Sequence, residues 1–209
     1  MKSFAKLAIT AASVLLFMIP SAKADSIVYF NGSYAFANSG VGIPPYGGTL
    51  NGQPAEFYCV DFTHDIVGGQ SWNAVVTPVS PTTNYGATDL DNGTDYLEFA
   101  WLLTEESETT NQTTIAEDQW AIWSVSGATD PYGNASTILS DADAQLTAAD
   151  FTGQGWEILT PDPENAGQEF MVYTPEPSSL LLLGLGLCAL FAVKRREWFS
   201  FGASRAHNS

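Results

Sequence analysis

Between Asp25 and Thr174 the chain contains no lysine and no arginine. All seven basic residues stand outside that stretch: Lys2, Lys6 and Lys23 before it, Lys194, Arg195, Arg196 and Arg205 after it. Of the 23 acids only Glu176 and Glu197 lie outside, which leaves 21 within. Phosphates and nucleic acids are held by lysine and arginine, so nucleic acid is excluded as a partner of this body. There is no lysine to act as a Schiff base and no arginine to clamp a carboxylate. An anionic body repels acidic polymers or meets them through divalent cations, and its plainest consequence is solubility. Cysteine is scarce as well: Cys59 is alone in the body, and Cys188 lies in an apolar run near the end. An internal disulfide is therefore excluded.

What is present at the two ends is export chemistry. Met1 to Ala24 has a positive start (Lys2, Lys6), an apolar run from Leu7 to Ile19, and Ala22-Lys23-Ala24 as a small-residue cleavage site before Asp25. At the other end Thr174-Pro175-Glu176-Pro177 forms an extended linker, since its prolines continue neither a strand nor a helix interior. Ser178 to Val193 then carries 16 uncharged residues rich in leucine. As a helix that run spans about 24 Å against a hydrocarbon core of about 30 Å. The following Lys194-Arg195-Arg196 marks the cytoplasmic side and can snorkel.

The order Pro-Glu-Pro, apolar helix, basic cluster resembles the PEP-CTERM sorting signal of Gram-negative bacteria, over Thr174 to Arg196. The resemblance implies recognition by the membrane transpeptidase exosortase. It also implies an inner-membrane anchor that is exchanged for the cell surface or exterior. The alternative is an ordinary single-pass anchor. The organisation expected is thus a signal peptide (1–24), an acidic exported body (25–174), a sorting signal (175–196) and a short cytoplasmic tail (197–209), whose Trp198, Phe199 and Phe201 suit a membrane interface.

The body holds 150 residues, one domain's worth. Ser26–Phe36, Ala55–Phe62, Trp72–Thr77 and Glu169–Tyr173 are rich in β-branched and aromatic residues and read as strands. Asp95–Ser107, Thr114–Ser126 and Ser140–Ala149 read as helices, the first capped by Asp95 and the second by the capping box Thr114 to Glu117. Asp162–Gln168 reads as a polar lead-in to the last strand. Strands, then helices, then strands predict an α+β domain.

Two residues of this body are out of place. Cys59 is a lone thiol in an oxidising compartment, on the less apolar face of its strand. Gln119 shares a helix face with Ile115 and Ile122, and an unpaired buried amide costs about 1–3 kcal/mol. Tyr58-Cys59-Val60 together with Asp118-Gln119-Trp120-Ala121-Ile122-Trp123 resembles the thioester domain of bacterial surface adhesins. The resemblance implies that Cys59 bonds to the acyl carbon of Gln119 with loss of ammonia. Ala121, Ile122 and Trp123 stand at matching motif positions, while Asp118 stands where that family has threonine. Such a link closes a 60-residue segment and stabilises by roughly 3–4 kcal/mol in the entropy model. Phe57, Tyr58, Trp120 and Trp123 are the expected shield against water. The alternative is a packed cysteine and a glutamine bonded to backbone.

Two further clusters carry weaker signals. Asp61, His64 and Asp65 lie close to Cys59 and allow a Cys59–His64 pair, hence a hydrolase as a third reading. Asp89-Leu90-Asp91-Asn92-Gly93-Thr94-Asp95 looks like a calcium loop but misses the EF-hand spacing at Gly93 and Glu98. An acidic turn capping a helix is preferred, with low-affinity calcium as the alternative and no other cofactor expected. The reading that follows is an exported attachment or biofilm-matrix protein rather than a turnover enzyme. Its expected partner is an amine-bearing surface or matrix protein, or exopolysaccharide. A structural module of the same fold without a thioester is the alternative.

Overall fold

The computed structural model describes residues 26–174. Eight strands come first and last: β1 (Ser26–Phe30), β2 (Phe36–Asn38), β3 (Val41–Ile43), β4 (Tyr46–Leu50), β5 (Gln53–Cys59) and β6 (Ser71–Pro78), then β7 (Trp156–Asp162) and β8 (Phe170–Tyr173). Between β6 and β7 stand three helices, α1 (Gly93–Glu108), α2 (Gln112–Val125) and α3 (Ala135–Ala148). A 3-10 turn, Glu164–Ala166, joins β7 to β8.

The expected α+β class is corrected by the pairing. Six strands close into an antiparallel barrel in the order β1-β4-β5-β8-β7-β6, and β2 pairs with β3 as a separate hairpin. Closure depends on partners far apart in sequence, such as Tyr58 with Met171 and Cys59 with Phe170. Local patterning carries no trace of such pairs. Two barrel strands are also disguised. β4 is Tyr-Gly-Gly-Thr-Leu, which reads as a turn, yet a Cβ at Gly48 would overlap the Tyr29 carbonyl of β1. β7 ends in Pro161-Asp162 and has glycines before it, so its Ile158-Leu159-Thr160 centre is hidden among turn signals. Ser26–Phe36 in turn breaks after Phe30, where Gly32 adopts a φ of +93°.

Helix starts also move. Asn92 and Asn111, not Asp95 and Thr114, are the caps, accepting from the backbone N–H of Thr94 and Thr113. α3 begins at Ala135 rather than Ser140, because the Asp130 carboxylate accepts from the N–H groups of Tyr132, Asn134 and Ala135. Among the described residues no helix is long and apolar enough to cross a membrane. The expected signal peptide, the apolar Ser178–Val193 run and the tail lie outside the described residues.

Burial occurs on both sides of the sheet. Inside the barrel, Phe30, Tyr46, Phe57, Cys59, Trp72 and Phe170 form one core, joined by Trp120 and Trp123 from α2. Outside it, Val60, Ile158 and Met171 pack against Tyr96, Phe99 and Leu103 of α1 and Ile122 of α2. The seam between β5 and β8 has only two paired positions. Cys59 stands at that seam.

Candidate functional site

Cys59 ends β5, and Gln119 lies in the middle of α2. The fold brings them together. The Gln119 carboxamide nitrogen Nε2 donates to the carbonyl oxygen of Cys59 at 2.8 Å. One helical turn on, the Trp123 indole N–H donates to the same oxygen at 3.1 Å. Both residues are inaccessible to solvent, Gln119 at 0% and Cys59 at 1% exposure. The expectation that Cys59 sits on the less buried face of its strand is therefore corrected: Phe57 and Cys59 look into the barrel core.

Two atoms of this pair are in unusual states. The Gln119 carbonyl oxygen Oε1 is buried without a hydrogen-bond partner, at a typical cost of about 1–3 kcal/mol. The Cys59 thiol donates to the backbone carbonyl of Asp61 at 2.9 Å. Burial pushes that thiol up to about 12, opposed by the Asp61 hydrogen bond, so a free Cys59 is a protonated thiol and not a thiolate.

Aromatic rings cover the pair unevenly. Trp120 and Trp123 meet edge to face at 5.2 Å, and Phe62 lies over both at 5.5 and 5.2 Å. Phe62 is 38% exposed and forms the outer surface of this cover. Tyr58 takes no part: it points into the helix layer, with its ring 5.5 Å from Trp156. Ala121 and Ile122 are fully buried. Asp118, at the threonine position of the motif, is pushed up to about 6 by burial and the nearby Glu117 and Glu105 carboxylates. It lies near enough to the buried Glu106 of α1 to raise that group further.

A cavity of about 380 Å³ reaches Cys59 from the surface, between Tyr46 and Trp123, with Tyr34, Phe62 and Asp65 among its lining residues. One wall is the loop after β5, and several bonds fix it. Asp61 accepts from the backbone and hydroxyl of Thr63 at 2.7 and 2.6 Å. Phe62 N–H donates to the Ser126 hydroxyl at 3.0 Å, and the Gln168 amide donates to the carbonyls of Asp61 and His64. His64 turns its Nδ1 to Asp61 at 2.6 Å and its Nε2 to Asn165 at 3.1 Å, so both ring nitrogens are engaged away from the sulfur. The hydrogen bond that His64 donates to Asp61 raises the His64 pKa. Sequence reasoning missed Tyr34, Tyr46, Asn165 and Gln168, which come from hairpins and loops whose approach to β5 has no local signal.

Asp61, His64 and Asp89 bring one ligand atom each within 4.8 Å of one another. An imidazole with two carboxylates suits a transition metal better than calcium. Burial and the Asp61 charge push Asp89 up to about 6. In the Asp89–Asp95 segment, read as an acidic turn capping a helix, Asn92 caps α1, and its amide donates to Asp95 at 2.8 Å.

No curated protein and no solved structure matches the chain. The family model of the PEP-CTERM protein-sorting motif matches residues 174–196, directly after the last barrel strand ends at Tyr173. The chain thus carries the sorting signal of an exported surface protein that exosortase processes.

Proposed function

We propose that the exported body is a surface-attachment module that carries an internal thioester between Cys59 and Gln119. The observation that carries this reading is the Gln119 carboxamide held on the Cys59 carbonyl at 2.8 Å, with both side chains buried. Formation is balanced: the sulfur adds to the Gln119 Cδ, the C–N bond breaks, and the thiol proton leaves with the departing ammonia. Loss of Nε2 orphans nothing, because Trp123 still donates to the Cys59 carbonyl. The unpartnered Oε1 becomes a thioester oxygen, a weaker acceptor that loses less by being buried.

The product is an acyl donor used once, not a turnover catalyst. A partner amine adds to the acyl carbon, the C–S bond breaks, and Cys59 recovers a proton as an amide forms. The lack of lysine in the body removes the internal amines that would consume the bond. Export and exosortase sorting put the module where attachment is useful, on a surface or in a biofilm and exopolysaccharide matrix. The expected partner is an amine-bearing surface or matrix molecule.

The test is the intact mass of the exported protein, purified without reductant. A mass lower by one ammonia, raised again by methylamine and absent from Cys59→Ala, is the expected result. A full mass with a Cys59 that alkylates after denaturation removes the reactive reading and leaves a structural matrix module.

A further inference from the structure

We propose that Asp65 makes this cavity selective for the cationic ends of unbranched alkylamines, such as lysine-type side chains and diamines; the proposal rests on the thioester reading. Among the residues lining the cavity over Cys59, Asp65 is the only carboxylate. Its oxygens are free, which sets it apart from its neighbours. Asp61 is consumed by Thr63 and His64, and Asp130 by three backbone N–H groups. Asp65 takes part in no hydrogen bond or ion pair among the described residues. It is exposed, and it extends from the loop fixed by Asp61 and Gln168.

The rest of the channel fits an alkyl stem. Tyr34 and Phe62 are half-exposed and Tyr46 and Trp123 buried, so the walls are aromatic from outside to inside. A cation is attracted by those ring faces as well as by the carboxylate. A methylene chain loses apolar surface to water along them. A carboxylate on the incoming molecule meets Asp65 and a body with 21 acids and no lysine or arginine, and is repelled. In the step itself the ammonium, drawn to the cavity by Asp65, gives one proton to water. The neutral nitrogen then adds to the acyl carbon and passes its second proton to the departing Cys59 sulfur.

The experiment follows adduct formation by intact mass on the exported full-length protein. Its probes are n-butylamine, cadaverine, tert-butylamine and γ-aminobutyrate at equal concentration, in low and high salt. Cadaverine and n-butylamine are expected to react roughly tenfold or more faster than γ-aminobutyrate, the gap narrowing in salt. Branching at the amine in tert-butylamine slows reaction further. In Asp65→Asn the preference against γ-aminobutyrate shrinks, and Asp65→Glu restores it with an unchanged melting temperature. Equal rates for n-butylamine and γ-aminobutyrate, or an unaltered preference in Asp65→Asn, overturn the role of Asp65 while leaving the thioester standing. A wild-type protein with no ammonia deficit overturns both.

Discussion

Phe57 and Cys59 look into the barrel, whereas Tyr58 and the following Val60 look out at the helices, and the two sides treat buried polar groups differently. On the barrel side the buried polar atoms are neutral: a thiol, a carboxamide and an indole N–H converge on the end of β5. On the helix side they are acids. Glu169 accepts from Tyr96 and from Thr160, the latter at 2.5 Å, and from the Asp89 N–H at 3.1 Å. Glu106 keeps one oxygen with no partner. No lysine or arginine is available to neutralise either acid. The Cys59–Gln119 pair thus sits among neutral groups, with the nearby Asp61 carboxylate engaged by Thr63 and His64, while the acids buried without a countercharge fall on the other face.

Adjacent residues of β8 separate the two sides most sharply. Phe170 stacks on Phe57 at 5.5 Å and meets Tyr46 and Trp72 at 5.9 and 5.7 Å, all inside the barrel. Met171 packs outward with the helix layer. Phe170→Ala is expected to cost about 3–5 kcal/mol and Met171→Ala about 2–5 kcal/mol. Phe170→Ala also removes the ring of the residue paired with Cys59, so the ammonia deficit expected of the proposed thioester should fall by hydrolysis there and persist in Met171→Ala. Urea unfolding midpoints with intact masses check both parts. Equal loss of the deficit in the two variants would show that the sides are not independent.

The acids predict the next largest effect, through pH. Burial pushes Glu169 up to about 7, with the Asp89 charge adding to it, and raises Glu106 as well. Glu98 is pushed up to about 7 by burial, Asp95 and Asp143. A carboxyl raised on folding keeps its proton longer in the folded state. Its stabilisation is full below the unfolded value and is lost as pH rises through the folded one. His64, also raised, acts in the same direction, while the lowered Asp130 opposes only in the acid range. Stability therefore falls between about pH 4 and about pH 7. The melting temperature at about pH 5 should exceed that at about pH 8, each kcal/mol being worth roughly 2–4 °C. Glu169→Gln keeps the size of the side chain and removes part of the slope. A melting temperature that rises with pH would contradict this assignment.

The same division explains what the sequence could reveal. Helices, the lone thiol and the out-of-place Gln119 are visible in local patterns, because capping and 3.6-residue periodicity act within a few residues. The barrel is not, because β1 with β6 and β5 with β8 are pairings across long intervals. β4 was hidden by its two glycines, of which Gly48 allows the close approach to β1 and Gly47 the close approach of Ser33 in the loop that follows β1. Cys59 looked half-polar because Asp61, two residues on, shares its alternation. The strand ends at Cys59, so the alternation stops before Asp61.

The smallest predicted effect distinguishes helix formation from site chemistry. Asn111 caps α2 by accepting the Thr113 N–H at 3.1 Å, whereas Asn134 makes no side-chain cap for α3 and leaves that work to Asp130. Asn111→Ala should cost about 1 kcal/mol and Asn134→Ala only a fraction of that. The cap acts on the first turn of α2, and Gln119 lies two turns further along. Its position is set by the Cys59 carbonyl and the buried Trp123, not by the cap. Asn111→Ala should therefore lower the denaturation midpoint and leave the ammonia deficit of the purified protein unchanged. A deficit that falls in step with the midpoint would mean that the proposed thioester depends on the stability of the whole helix layer, and the independence of the two sides of β5 would fail there.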